Sequence, residues 1–160
     1  MLLLARLAGF FAAHGMWSIA DGGGPITPLL GHEKADGRRG GARFADEDLE
    51  LAVKAGQAAL AGNAELAARA VLVFDGYVPL PSGRTDALII EGAEYEPALR
   101  TLRMAVPYRP SPFAVFRPKF LLADGVERDG FAALGDAFYA GVDSHEQAGP
   151  LWNASLDQSI

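Results

Sequence analysis

His14, His32 and His145 are the side chains of this chain best suited to moving protons near neutral pH, because an imidazole titrates closest to neutrality. If folding brings His14 and His145 together with Asp21 and Asp75, the four form a candidate acid–base site of the kind a small hydrolase uses. The run Asp143-Ser144-His145-Glu146 sets an acid, a hydroxyl and a base side by side. Catalytic triads are assembled from distant segments, however, since adjacent side chains rarely aim at one atom. The favoured roles there are helix capping by Asp143 or Ser144, with His145 exposed or packed.

Other chemistries fare less well. His32-Glu33 followed by Asp36 approaches a zinc-ligand spacing, but Gly31, Gly37, Gly40 and Gly41 deny it the regular helix that such a motif needs, so no metal is expected. Gly22-Gly23-Gly24 lacks the glycine spacing, the following helix and the lysine of a phosphate-binding loop, and no cofactor is expected either. The absence of cysteine excludes thiolate zinc sites, disulfides and a cysteine nucleophile. Asp75 and Glu91 are acids inside apolar runs, where a carboxylate needs a partner or a task. A hairpin centred on Ser82-Gly83 sets Asp75 opposite Ile90 and Glu91 opposite Phe74, which puts the two acids on opposite faces.

Charge is split along the chain. Residues 98–120 hold Arg100, Arg103, Arg109, Arg117 and Lys119 without an acid, interleaved with Tyr108, Phe113, Phe116 and Phe120. Such a segment is a candidate for an acidic ligand or a nucleic-acid strand, with Trp17 beside the glycine loop as a further candidate ligand contact. The net charge of −6 disfavours bulk affinity for nucleic acid, and the preferred reading folds the acidic C-terminal segment over the basic strands.

The elements that must position these residues follow from spacing. Leu3, Leu7, Phe10, Phe11 and His14 recur at helical intervals, so Met1 to Ala13 is expected to be a helix closed by Gly15, too short to span a bilayer and lacking the layout of a signal peptide. This points to the cytosol, with export as the minor alternative. Met16 to Ala20 suits a short strand and residues 21–25 a loop. Ile26 to Glu33 and Arg43 to Ala45 flank a glycine-rich basic hairpin tip. Asp46 to Ala61 is the clearest helix, acidic in its first turn and stopped by Gly62-Asn63, with one extra turn possible over Glu65 to Arg69. Ala70 to Val78 and Asp86 to Ala93 bracket the turn signal Pro81-Ser82-Gly83-Arg84, and Leu99 to Val106 and Phe113 to Leu122 complete a four-stranded meander with Pro118 on an edge. Gly130 to Val142 is the last helix, ahead of a polar tail anchored by Leu151 and Trp152.

Residues 1–160 thus read as one α+β domain: an antiparallel meander of about four strands, short N-terminal strands and about three helices. No motif specifies a reaction. The expected function is a small non-catalytic binding or interaction domain that self-associates through its N-terminal helix and strand-rich half, without a membrane partner; a His/Asp hydrolase and an acidic-ligand binder are the alternatives.

Overall fold

The computed structural model describes residues 1–22 and 24–160; Gly23, part of the expected loop, lies outside the described residues. The elements are α1 (Leu2–Gly22), β1 (Leu29–Glu33), β2 (Arg39–Arg43), α2 (Leu49–Gly62), β3 (Arg69–Leu80), β4 (Gly83–Glu94), β5 (Arg100–Pro110), β6 (Phe113–Val115), β7 (Lys119–Ala123), α3 (Phe131–Ser144) and α4 (Ala148–Ser155). The strands form one antiparallel sheet in the order β2-β1-β3-β4-β5-β6, with β7 also paired to β5, so the fold is α+β around an antiparallel meander.

The first helix does not stop at Gly15. Leu4, Leu7, Ala8, Phe11, Ala12, Met16 and Ile19 are all buried and continue one stripe through the expected strand Met16–Ala20, which is helical. Gly15 falls within that stripe. A Cβ there would sit 3.0 Å from a Leu88 methyl and 3.4 Å from Val73, so the missing side chain lets the helix lie close on the sheet rather than ending it. Asp21 and Gly22 form the last helical turn instead of a loop. Although α1 is long and apolar enough to cross a membrane, its stripe is used on the protein's own sheet, against Val71 and Val73 of β3, Leu88 and Ile90 of β4 and Leu102, Met104 and Val106 of β5. The N-terminal helix therefore contributes core along this stripe, while Leu2, Leu3 and Trp17 on it remain exposed.

Beside α1 lies α3, and the two approach backbone to backbone. A Cβ on Gly9 would stand 1.9 Å from the carbonyl oxygen of Phe138, and one on Gly141 would stand 1.9 Å from that of Arg6. Then α4, which the sequence pattern does not predict, buries Trp152 to 1% exposure against Phe138. The chain beyond α4 joins the sheet: Leu156 bridges Val115, and the Asp157 amide donates to the Val115 carbonyl at 2.8 Å.

The opposite sheet face carries a smaller cluster, Ala87, Ile89 and Ala105 with Phe74 and Val78 against them. Among the described residues α2 is the one helix on this face, with Gly56 seated on Leu72. Asp48 caps α2 by accepting from the amides of Glu50 and Leu51, and Asn63 ends it in the left-handed region at φ 47°. The expected extra turn over Glu65–Arg69 does not form: Leu66 also takes a positive φ, and Arg69 already belongs to β3.

The strands also depart from expectation: β1 begins only at Leu29, and β2 runs Arg39–Arg43, through glycines expected in the hairpin tip, rather than Arg43–Ala45. The β3–β4 turn is tighter, pairing Leu80 with Gly83, so Asp75 faces Leu88 and Glu91 faces Leu72. This displacement is by two residues and leaves the acids on opposite faces. Pro107 does not end β5, because its missing amide falls where only its carbonyl is used, accepting from Phe116. The last expected strand is broken at Arg117-Pro118 into β6 and β7, which pair with different parts of β5.

Candidate functional site

Of the four residues of the candidate acid–base site, two meet and two do not. His14, in the third turn of α1 from its end, and His145, at the corner between α3 and α4, meet with Nδ1 of the first 3.1 Å from Nε2 of the second. The corner is held by a backbone turn, since the His145 amide donates to the Val142 carbonyl. His145 is 5% exposed, and its Nδ1 accepts from the Ala148 amide at 3.0 Å. On the outer side His14 Nε2 lies 3.2 Å from Nη2 of Arg43 on the edge strand β2. Trp17, one helical turn on, stands edge-on to both imidazoles with centroids 5.8 Å away, and Phe10 covers His145 at 4.9 Å. Burial holds the pKa of His14 below its ordinary value, reinforced by the neighbouring His145 and Arg43; burial also lowers that of His145. Both shifts favour the neutral imidazoles.

Asp75 is not bonded to either imidazole; it stands in the middle of β3, opposite Leu88 of β4. The Tyr108 hydroxyl straddles its carboxylate, donating at 2.9 and 3.0 Å to the two oxygens. Burial pushes the Asp75 pKa up, against the lowering effect of the Tyr108 bond and of the Ile26 and Gly76 amides; Asp86 raises it further. Burial and Asp75 likewise push the Tyr108 phenol well above its usual range. Asp21 is exposed at the end of α1. Among the described residues neither imidazole is hydrogen-bonded to a carboxylate. The nearby hydroxyls are occupied as well, Ser18 donating to the His14 carbonyl and Ser144 to that of Gly141.

The basic residues of 98–120 do not share a surface. Arg100 pairs with Glu94 at 2.9 Å, together with the Met1 ammonium. Burial acting alone would raise the Glu94 pKa, but these two cations hold it low. Arg103 points to the other face, 3.8 Å from Glu91. Arg109 and Arg117 donate to the carbonyls of Pro112 and Ile160, and Tyr108 serves Asp75. Hydrogen bonds from Ser159 and, after them, the charge of Arg109 hold the Asp157 carboxyl below its usual range, so part of the acidic C-terminal segment does lie at the basic end of the strands. In the β1–β2 hairpin, Glu33 is held by Arg39 and Arg69 and Asp36 by Arg38, and among the described residues no three His, Asp or Glu side chains are grouped to hold a metal.

One feature was not legible in the sequence. On the sheet face away from α1, an open groove of about 560 Å³ runs between α2 and strands β4, β5 and β7. Leu60 and Ala61 form one wall, Ala93 and Tyr95 the floor, Leu99 and Leu122 the far rim. Gln57, Glu91 and Arg103 supply the polar groups; the Gln57 amide donates to Glu91 at 2.8 Å, which leaves the Arg103 guanidinium only loosely engaged. The hydroxyl of Tyr95 donates to the Leu60 carbonyl and ties the floor to α2. Leu99 is 64% exposed and Leu122 49%, large for aliphatic side chains that share one rim.

No protein-family model matches the chain, and no curated protein or solved structure matches it either.

Proposed function

We propose that this protein is a non-catalytic binding domain that takes a small, predominantly apolar molecule in the groove between α2 and the open sheet face. The observation that carries this reading is the groove itself: its volume of about 560 Å³ falls within the roughly 300–1,000 Å³ of small-molecule sites, which join an apolar lining to a few polar groups. Glu91, Gln57 and Arg103 would orient a polar end group while Leu60, Leu99 and Leu122 take the apolar body.

The test is titration with the environment-sensitive dye N-phenyl-1-naphthylamine. Saturable enhancement at one site per chain, abolished in Leu122→Lys with unchanged circular dichroism, supports the reading; enhancement that survives the substitution overturns it. Self-association is the second reading, favoured by the exposed run Leu121-Leu122 beside Leu99. Light scattering that gives a mass above 16.9 kDa, reduced by Leu121→Lys/Leu122→Lys, would assign this rim to a second copy of the chain.

A further inference from the structure

The imidazole pair on the α1 side of the sheet has fewer acceptors than contacts. Three contacts follow one another from the surface inward: Arg43 Nη2 to His14 Nε2, His14 Nδ1 to His145 Nε2, and His145 Nδ1 to the Ala148 amide. Both ends of this chain are obligate donors, because a guanidinium and a backbone N–H carry no acceptor. A neutral imidazole offers one acceptor nitrogen, so two imidazoles supply two acceptors for three contacts. One contact must set donor against donor.

Burial decides which. The inner bond to Ala148 is enclosed, where an unmade hydrogen bond costs about 1–3 kcal/mol. It therefore fixes His145 as the Nε2–H tautomer, which donates to His14 Nδ1. His14 is then left with its proton on Nε2, facing Arg43. The mismatch lands on the exposed contact, where two N–H groups, one of them on a cation, converge at 3.2 Å with nothing to receive them. Arg43 has no carboxylate within ion-pair distance among the described residues, in contrast to Arg38, Arg39, Arg69, Arg100 and Arg103.

We propose that this contact is an oxyanion-binding site: a carboxylate or phosphate group enters between the two side chains, accepting from His14 Nε2–H and from the Arg43 guanidinium, beside the indole of Trp17. Anionic acceptors form stronger hydrogen bonds than neutral ones, and a guanidinium presents parallel donors to two oxygens at once. Trp17 is 41% exposed, so the site opens to solvent. The assignment is independent of the groove, which lies across the sheet.

Nuclear magnetic resonance of the imidazole nitrogens in the full chain tests it at two points. First, at pH 7.5 His14 should be the Nε2–H tautomer and His145 likewise; an Nδ1–H tautomer at His14 would free its Nε2 to accept from Arg43, move the mismatch inward to His145 or the Ala148 amide, and overturn the proposal. Second, sodium phosphate and sodium acetate are each titrated at ionic strength matched with sodium chloride. A saturable shift of the His14 Nε2 resonance with either anion, accompanied by a change in Trp17 emission and weakened at least tenfold in Arg43→Gln, supports the site. The stronger of the two anions identifies the ligand group. Shifts that track ionic strength alone, or that persist unweakened in Arg43→Gln, overturn it. Arg43 is exposed on an edge strand, and His14→Gln, checked for folding by circular dichroism, gives a second variant expected to lose the response.

Discussion

The two faces of the sheet are built on different principles. On the α1 side, three helices close over a large core, and the contact between α1 and α3 is made by backbone on backbone through Gly9 and Gly141. On the other side α2 rests on flexible side chains, Gly56 over the methyls of Leu72, and an open groove runs beside it. Close-packed interiors transmit strain because nothing in them can yield, whereas side-chain ends can rotate away. The fold therefore tolerates change unequally: the first face specifies the structure, and the second can yield at its side-chain ends.

The sharpest way to break that contrast is a methyl group on each face. Gly141→Ala should lower stability by at least about 3 kcal/mol, the upper end of overpacking costs, since the new Cβ meets a carbonyl oxygen that belongs to another helix. The urea midpoint measures it, and a change under about 1 kcal/mol would mean that the helices separate easily and the contrast is false. Acid should act on the same face. Both His14 and His145 have folded pKa values below the ordinary 6.5, so the unfolded chain binds more protons as pH falls through about 6.5. Their contribution is complete above that pH and is progressively lost below it. Urea midpoints at pH 7.5 and 5.5 should therefore differ, by less than the glycine substitution, and the slope should flatten in His14→Gln.

Smaller effects belong to the other face. Gly56→Ala should change stability by no more than about 1 kcal/mol in either direction, because the clash is with a movable Leu72 methyl and alanine favours the helix by about 1 kcal/mol. A loss equal to that of Gly141→Ala would show that the α2 side is as rigid as its counterpart. Smallest of all, Leu122→Lys on the rim should stay within about 0.5 kcal/mol of the parent in the urea midpoint while abolishing dye binding. This outcome separates a binding surface from a structural one.

The order of elements and the β3–β4 hairpin were readable because long apolar runs and a strong turn signal agree across several residues. What failed did so locally. Gly15 reads as a stop only when its neighbours are ignored; the stripe Leu4, Leu7, Phe11, Met16 and Ile19 carries straight through it. The small helix α4 was hidden because Gly149-Pro150 imitates a loop, whereas a proline near the start of a helix is well placed. In the site, His14 and His145 were both visible as candidates, but no spacing rule connects positions 131 apart. Arg43 and the Ala148 amide, which give the pair its character, enter through the tertiary fold alone. The groove escaped notice for a related reason: Leu60, Leu99 and Leu122 each look ordinary, and only the uncovered sheet face makes them neighbours.

Packing α1 against α3 also sets a schedule for biosynthesis. The helix Leu2–Gly22 leaves the ribosome long before its principal neighbour, residues 131–144, has been synthesised. At about 5–20 residues per second, a strongly apolar segment waits for roughly ten seconds before its partner is made. During that interval the stripe Leu4, Leu7, Phe11, Met16 and Ile19 stands open to water, and slow codons after α1 would lengthen the exposure rather than help the domain fold.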